Sequence, residues 1–311
     1  MTLVVYLVIA AAALTFIVAS VARAVWYARH PMHLRWELYP VPHEASARAA
    51  YGGSYFETSE WWRTPGHVNR VGAWVFMARE IVFLHALHEF NRPLWYRSFP
   101  FHFGLYLLVA SVAGITADAA IGVLTGSAAA GVLVTFLRGS YTMLGAAGLL
   151  LAVGGAAGLL VYRRTAPALR IATTPGDLFN LAFFIVALGL LMAGLVASPA
   201  GSPGLRAITA GLLTWQTGLE VPGLLAAGLC LTAALVAYIP LTHMSHFIGK
   251  YFTYHAIRWD DRPFKGNAKI AAALAESLTY RSRWAAGHVA AGQAASWADV
   301  VAADPTREAK P

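Results

Sequence analysis

Three histidines within or at the edge of apolar segments are the residues of this chain best suited to chemistry. They are His102, His243 and His246, out of eleven histidines in the sequence. A histidine in a membrane helix is costly unless it has a function. A neutral imidazole can place a ring nitrogen on a haem iron when a second histidine on another helix faces it. The sequence therefore raises the hypothesis of a bis-histidine haem site.

His102 and His246 are predicted to lie at the same depth in a membrane. His102 comes a few residues into the second apolar segment, and His246 comes in the last turn or two of the fifth. Because these segments run in opposite directions, both rings are expected within roughly 5 to 10 Å of the same membrane boundary. This match predicts that the pair are the axial ligands of one haem b. Gly104, two residues beyond His102, is expected to leave the porphyrin face free of a side chain.

His243 has two alternative roles. It lies about 60° around a helix from His246, so it is either a rival ligand or a hydrogen-bond partner of a haem propionate or a quinone. Arg97 and Lys250 are predicted propionate partners, because a cation near the boundary can pair with a carboxylate that leaves the membrane.

Composition is typical of a polytopic membrane protein. Of 311 residues, 58% are hydrophobic and 12% charged, and the mean hydropathy is +0.56. We therefore predict an all-α integral membrane fold, a bundle of five transmembrane helices. The predicted spans are residues 2–26, 99–124, 133–162, 177–197 and 222–247.

Local signals refine several of these spans. The first is predicted to be a retained helix and not a cleaved signal peptide, because no Lys or Arg precedes its apolar run. Thr174, Pro175 and Asp177 form a good helix start for the fourth. Pro240 should bend the fifth. The sequence LGAAGLLLAVGGAAGLL in the third predicts close helix packing.

The distribution of basic residues predicts the orientation. Nine of the 23 Lys and Arg lie from Arg23, at the end of the first span, to Arg97, three lie between the third and fourth, and nine lie from Lys250 onward. The remaining two are Arg138, near the start of the third span, and Arg206, between the fourth and fifth. The N-terminus is therefore predicted outside and the C-terminus in the cytoplasm. The charge of +8 follows this topology and does not indicate nucleic acid.

The polar parts of the chain are predicted to lie on the cytoplasmic side. Residues 1–250 would form the membrane domain, including a cytoplasmic loop at 30–98, and residues 251–311 a cytoplasmic tail with a short Ala-rich helix from Ala268. Within the loop, residues 71–88 predict an interfacial amphipathic helix.

Two histidines of that interfacial helix are weaker candidates. His85 and His88 share a face beside Glu80 and Glu89. Solvated polar surface is the favoured interpretation, and a quinone-site acid or base is the alternative.

Several motifs resemble a known family. FHFG around His102, with Pro240 six residues before His246, resembles the haem-ligand motifs of the gamma subunit of respiratory nitrate reductase, a five-span cytochrome b. Longer segments resemble the cytochrome b subunits of sulfate-reducer membrane redox complexes of the Dsr, Hme or Tmc type, which are related to the membrane subunit of heterodisulfide reductase. The resemblance covers nearly the whole chain, and the segments that carry it are HPMHLRWELYPVPHE, GGSYFETSEWW, SFPFHFGLYL, KYFTYHAIRWDDRPF and SWADVV.

This resemblance implies electron transfer between quinone and a partner, with the chain itself not acting on the terminal substrate. The partner would be a cytoplasmic iron–sulfur subunit like the heterodisulfide reductase catalytic subunit, docked on residues 30–40 and on the tail from Trp259. Further membrane or electron-transfer subunits are compatible with it. Cys230 is the single cysteine, so iron–sulfur clusters must lie on a partner. The implied location is the inner, cytoplasmic membrane of a bacterium or archaeon, in contact with lipid.

One departure from the family changes the expected haem content. The gamma subunit holds a second, outer haem through histidines at positions that are Val112 and Gly228 here. One haem, on the inner side, is therefore expected, and a di-haem nitrate reductase gamma subunit is the alternative. Without an outer relay, quinone would react near the inner haem or the chain would depend on another subunit.

Two other classes of function, a haem-free membrane anchor and a transporter, are alternatives. A haem-free membrane anchor of a redox complex would need the five spans but neither histidine. A transporter would need an acid near the middle of the bilayer, and Asp118, toward the outer end of the second span, is the only candidate.

Overall fold

Helices make up most of the chain that the computed structural model describes, which is residues 1–29, 44–63, 69–126, 131–259, 266–281 and 295–302. No β-sheet occurs within these ranges. In chain order the α-helices are α1 (Thr2–Arg29), α2 (Ser46–Ala49), α3 (Arg70–Phe83), α4 (His85–Phe90), α5 (Arg92–Thr125), α6 (Val132–Thr165), α7 (Pro167–Ala172), α8 (Pro175–Ala197), α9 (Leu205–Thr214), α10 (Gly223–Tyr238), α11 (His246–Phe252), α12 (Ala268–Thr279) and α13 (Trp297–Ala302).

Within the described ranges, five helices are long and apolar enough to cross a membrane, as the sequence predicts. They are α1, α5, α6, α8, and α10 with the turn that follows it. The predicted start of α8 is confirmed: Thr174 Oγ1 accepts from Asp177 N at 3.3 Å, and Asp177 Oδ2 accepts from Thr174 N at 2.9 Å. These reciprocal bonds satisfy backbone groups that a helix start leaves without partners.

The fifth span ends earlier than predicted. Helix α10 stops at Tyr238, and Pro240 lies in a 3₁₀ turn. Thr242 then adopts an extended backbone, with φ −118° and ψ −176°, and its Oγ1 accepts from Met244 N at 3.2 Å. This local bond competes with helix continuation. The predicted continuous, bent helix as far as Phe247 is therefore wrong.

The segment at 71–88 also differs from its prediction, because it forms two helices. Leu84 between them has a left-handed backbone, with φ 50°. Glu80, a charged residue that interrupts this apolar stretch, is only 4% exposed, and its Oε1 accepts from Ala86 N at 2.8 Å. The carboxylate thus satisfies a donor in the first turn of α4.

Side chains of α5 hold these two short helices in place. Tyr106 donates its hydroxyl to the carbonyl of Ile81 at 2.6 Å, and Trp95 donates Nε1–H to that of Phe83 at 2.8 Å. The His88 ring lies edge-on to Trp95, with centroids 4.8 Å apart. The segment is therefore docked on a spanning helix through hydrogen bonds.

The described chain divides into two compact units. The first contains residues 1–19 and 75–244, and the second contains residues 20–74 and 245–311. The core of the first unit lies among α5, α6, α8 and α10 and includes Phe101, Ala152, Ala156, Phe184, Ala187 and Leu235. The predicted domain boundary at residue 250 falls inside the second unit and stays a prediction.

Glycines allow α5 and α6 to pack closely. A Cβ on Gly104 would lie 2.5 Å from Ala152 N, and one on Gly155 would lie 2.5 Å from Phe101 N. The close packing predicted for the third span is confirmed at Gly155. Because Gly104 faces α6, the expectation that it lies against a porphyrin is wrong.

In the second unit, two carboxylates fold the GGSYFETSEWW segment. Glu57 Oε1 accepts from Ser54 N at 3.0 Å, and Glu44 Oε1 accepts from Ser54 Oγ at 2.8 Å. Tyr51 donates its hydroxyl to Glu57 Oε2 at 2.9 Å, a bond that raises the pKa of the tyrosine. This segment is thus a hydrogen-bonded turn. Farther along this unit, Asn267 caps the predicted Ala-rich helix α12.

Candidate functional site

His102 is held on α5 by the preceding turn of its own helix. Its Nδ1 lies 2.8 Å from the carbonyl oxygen of Ser98 and 3.3 Å from Ser98 Oγ. Because a carbonyl can only accept, Nδ1 carries the hydrogen, and the lone pair of the neutral ring lies on Nε2. Metal-bound histidines usually show this arrangement, in which one ring nitrogen donates to the protein and the other binds the metal.

Packing around Phe101 restrains the backbone at His102. Phe101 lies edge-on to Phe184 of α8, with ring centroids 4.9 Å apart, and edge-on to His102 at 5.1 Å. On its backbone side it meets Gly155 of α6. Three spanning helices therefore fix the turn that carries the histidine.

Arg97 lies five residues before His102 and is also anchored. Its guanidinium carbon is 4.2 Å from the centroid of the Tyr162 ring of α6, a cation–π contact, and Nη1 donates to the carbonyl of Pro93. The cation is thus held near the first turns of α5, in the same unit as His102.

The other two predicted haem residues belong to the second unit. His246 is the first residue of α11 and is exposed, and Lys250 lies one turn later with Nζ 5.9 Å from the Tyr254 ring centroid. Their spacing of four residues places both on one face of α11. Tyr27 of α1 packs against Phe252, with centroids 5.6 Å apart, and so fixes this helix within its unit. The pairing of His102 with His246 joins two units and stays a prediction.

His243 is bonded to α8 in the first unit. Its Nε2 lies 3.3 Å from Asp177 Oδ1 and 3.3 Å from Asn180 Nδ2. Asn180 Oδ1 in turn accepts the hydroxyl of Tyr238 at 2.9 Å. The ring nitrogen farther from the backbone is therefore engaged by polar groups. This arrangement favours the hydrogen-bonding role of His243 over the role of rival ligand.

Asn180 and Tyr238 are site residues that the sequence analysis missed. Asn180 is only 5% exposed and joins Tyr238 to His243 across two spanning helices. The sequence does carry a signal, because Asn180 is a polar residue inside the otherwise apolar run NLAFFIVALGLL. Polar side chains within spans are costly and mark functional or packing positions.

The two positions at which the resemblance implies outer-haem ligands, Val112 and Gly228, carry no ligand side chain in this sequence. Val112 is 61% exposed on the surface of the first unit. A Cβ on Gly228 would lie 2.6 Å from the Cα of Leu191, because α10 packs directly on α8 there. The backbone contact leaves no room for a histidine side chain at residue 228.

The remaining candidates have local partners. His85 Nε2 lies 3.8 Å from Glu89 Oε2, and both side chains are more than half exposed, which agrees with solvated surface. His255 donates Nδ1–H to the Tyr251 carbonyl at 3.0 Å. Asp118 accepts hydrogen bonds from two arginines and a tyrosine, so it is not the isolated intramembrane acid that a transporter would need.

The described residues do not form a site in which protein side chains alone could hold a metal ion. Within these ranges no three His, Cys, Asp or Glu side chains converge on a point that could hold a metal ion. A haem needs only two protein ligands, since the porphyrin supplies the others. The predicted docking loop at residues 30–40 lies outside the described residues.

Comparison with known proteins assigns no family. No family model, no curated protein and no solved structure matches this chain. The function is therefore inferred from the residues, the fold and the sequence motifs.

Proposed function

We propose that this chain is the haem b membrane subunit of a respiratory complex. It would pass electrons between the quinone pool and iron–sulfur clusters of a cytoplasmic partner that resembles the heterodisulfide reductase catalytic subunit. The observation that supports this proposal best is the orientation of the His102 ring. Its Nδ1–H is donated to the Ser98 carbonyl, which leaves the lone pair of the neutral ring on Nε2. Such a histidine suits haem ligation.

The proposed haem lies at the cytoplasmic end of the bundle. His102 and His246 are the proposed axial ligands, and Arg97 and Lys250 are the proposed partners of the propionates. When bound, haem b supplies one-electron transfer, whereas the protein sets its ligands, burial and neighbouring charge. The restrained turn at Phe101 would keep the His102 ring in one orientation.

His243 is the proposed hydrogen-bond partner of a quinone or of a propionate. Quinone reduction and quinol oxidation exchange protons, so a quinone site needs a titratable group nearby. His243 lies beside the Asp177 carboxylate at the end of α10, and its side chain is well exposed. Both features suit proton exchange at this end of the bundle.

We propose a single haem because the two positions of the outer ligands hold Val112 and Gly228 and not histidine. The tight contact of Gly228 with α8 and the exposure of Val112 support this count. The single half-buried cysteine, Cys230, agrees with iron–sulfur clusters on a partner. That partner would dock on residues 30–40 and on the tail from Trp259, at the inner membrane of a bacterium or archaeon.

The test is the haem b content of the purified chain by pyridine haemochrome. We expect one haem per chain, with loss of haem in His102→Ala and in His246→Ala. His255→Ala is the matched control, because this histidine lies in the same segment as His246 but bonds only locally, and it should keep the haem. Helix content by circular dichroism would show that each variant is folded.

Other outcomes would contradict the proposal. Two haems per chain would favour the di-haem nitrate reductase gamma subunit, with His243 and the histidines of α4 as the additional ligand candidates. A colourless chain that gains no haem on reconstitution would favour the haem-free anchor.

A further inference from the structure

A cluster of charged and polar side chains from α5, α6 and α9 has no part in the proposed electron transfer. Asp118 lies sixteen residues beyond His102, about 24 Å along the helix. Its Oδ2 accepts from Arg138 Nε of α6 at 2.9 Å and from Arg206 Nε of α9 at 2.7 Å. The Tyr141 hydroxyl donates to the same oxygen at 3.0 Å. We call Asp118, Arg138, Tyr141 and Arg206 the Asp118 cluster.

The Asp118 cluster carries one positive charge in excess. It contains two guanidinium groups and one carboxylate. Among the described residues, Asp118 is the ion-pair partner of both arginines, and neither arginine has a second one. In the sequence, residues 126–131, which follow α5, read GSAAAG and contain no acidic residue. An excess charge near a membrane is stabilised when an anion lies against it.

Both guanidinium groups have hydrogen-bonding capacity beyond these contacts. Each arginine carries five N–H donors. Arg138 directs Nε and Nη2 to the carboxylate, and Arg206 directs Nε to the carboxylate and Nη2 to the Asp118 carbonyl. The Arg138 and Arg206 side chains are 35% and 30% exposed, so part of each reaches the surroundings.

The helices are long enough for the Asp118 cluster to reach the membrane surface. Helices α5 and α6 have 34 residues each, about 51 Å, whereas the hydrocarbon layer is about 30 Å thick. Asp118 lies about 10 Å from the end of α5, and Arg138 about 9 Å from the start of α6. The cluster is therefore expected near the phosphates of the lipid headgroups.

We propose that the Asp118 cluster binds the phosphate of an anionic phospholipid headgroup. Guanidinium forks match the geometry of phosphate oxygens, and two forks held by one carboxylate are already oriented. The lipid would neutralise the excess charge and would clamp α5, α6 and α9 together. This inference does not depend on the presence of haem.

The test compares thermal unfolding of the full chain in nanodiscs of phosphatidylcholine with nanodiscs that also contain phosphatidylglycerol. For the wild type we expect a midpoint higher by about 2 °C or more with phosphatidylglycerol. Arg206→Gln leaves a neutral Asp118–Arg138 pair and should lose this increment. Asp118→Asn leaves two uncompensated cations and should enlarge the increment, even if the variant is less stable in both lipids.

Two controls separate this site from general charge attraction and from free phosphate. Arg164→Gln removes an exposed arginine at the other end of α6 and should keep the wild-type increment. Inorganic phosphate added to phosphatidylcholine nanodiscs should give no comparable rise, and an equal rise would reassign the site to free phosphate. If Arg206→Gln and Asp118→Asn lower the midpoint equally in both lipids, the Asp118 cluster only joins helices and the proposal is overturned.

Discussion

At the scale of single residues, the role of each histidine depends on which ring nitrogen the protein engages. His102 directs Nδ1 to its own helix, so the lone pair lies on the outer nitrogen. His243 instead presents its outer nitrogen to Asp177 and Asn180. Both are histidines near one end of the spans, and no spacing rule distinguishes them. The distinction comes from neighbours that the fold supplies, which is why the sequence left the role of His243 open.

Ser98→Ala tests whether the backbone sets the His102 tautomer. The carbonyl of residue 98 is the nearer acceptor, at 2.8 Å, and the substitution keeps it, whereas it removes the hydroxyl at 3.3 Å. We therefore expect haem content close to that of the wild type by pyridine haemochrome. A loss as complete as in His102→Ala would mean that the hydroxyl orients the ring.

Asn180→Leu should lower the free energy of unfolding by about 1 to 3 kcal/mol, because it removes a buried group that serves two partners. Tyr238→Phe removes only the hydroxyl that donates to Asn180 and should cost about 1 kcal/mol. Denaturant titration of both variants, followed by circular dichroism, measures the two values. Equal costs would show that the contact between Asn180 and His243 contributes little.

At the scale of helices, sequence signals predict the start of α8 better than the end of α10. The start of α8 at Pro175 is encoded locally by Thr174 and Asp177, and it is confirmed. The end of α10 depends on the extended backbone at Thr242, whose hydroxyl bond to Met244 has no signature in hydropathy. In the sequence, Glu80 likewise places a charged residue within the apolar stretch 71–88, although tertiary packing buries its side chain.

The packing of α5 on α6 predicts that alanine substitutions at two adjacent glycines, Gly154 and Gly155, have very different effects on stability. Gly155→Ala would force a Cβ against the backbone of Phe101 and should destabilise the chain by about 1 to 3 kcal/mol. Gly154→Ala is the control, because open space surrounds that position, and its effect should stay within about 0.5 kcal/mol. Thermal unfolding in detergent would measure both. Similar losses in the two variants would contradict the packing of Gly155.

At the scale of the whole molecule, five helices long and apolar enough to cross a membrane are confirmed among the described residues, whereas the orientation rests on the distribution of Lys and Arg. The sequence predicts a count of spans because a long apolar run has few alternatives to a membrane helix. The division of the described chain into two units was not foreseen, because residues far apart in sequence meet within each unit.

Cysteine labelling tests the orientation in intact cells. In a Cys230→Ser background, Thr217→Cys places a thiol in the exposed turn before α10, and Thr165→Cys places one at the end of α6. A membrane-impermeant maleimide should label Thr217→Cys directly and Thr165→Cys only after the cells are permeabilised. The reverse pattern would place the N-terminus in the cytoplasm.

The contacts of His243 Nε2 have a consequence for the direction of a hydrogen-bond relay. One nitrogen cannot donate to Asp177 and also accept from the amide of Asn180. If Nε2 carries the hydrogen and the contact with Asn180 is kept, the amide turns its oxygen toward the ring, and its NH₂ group then faces Tyr238. The Tyr238 hydroxyl is then an acceptor and no longer a donor. The position of the hydrogen on the His243 ring thus decides the polarity of a chain of bonds that runs across two helices.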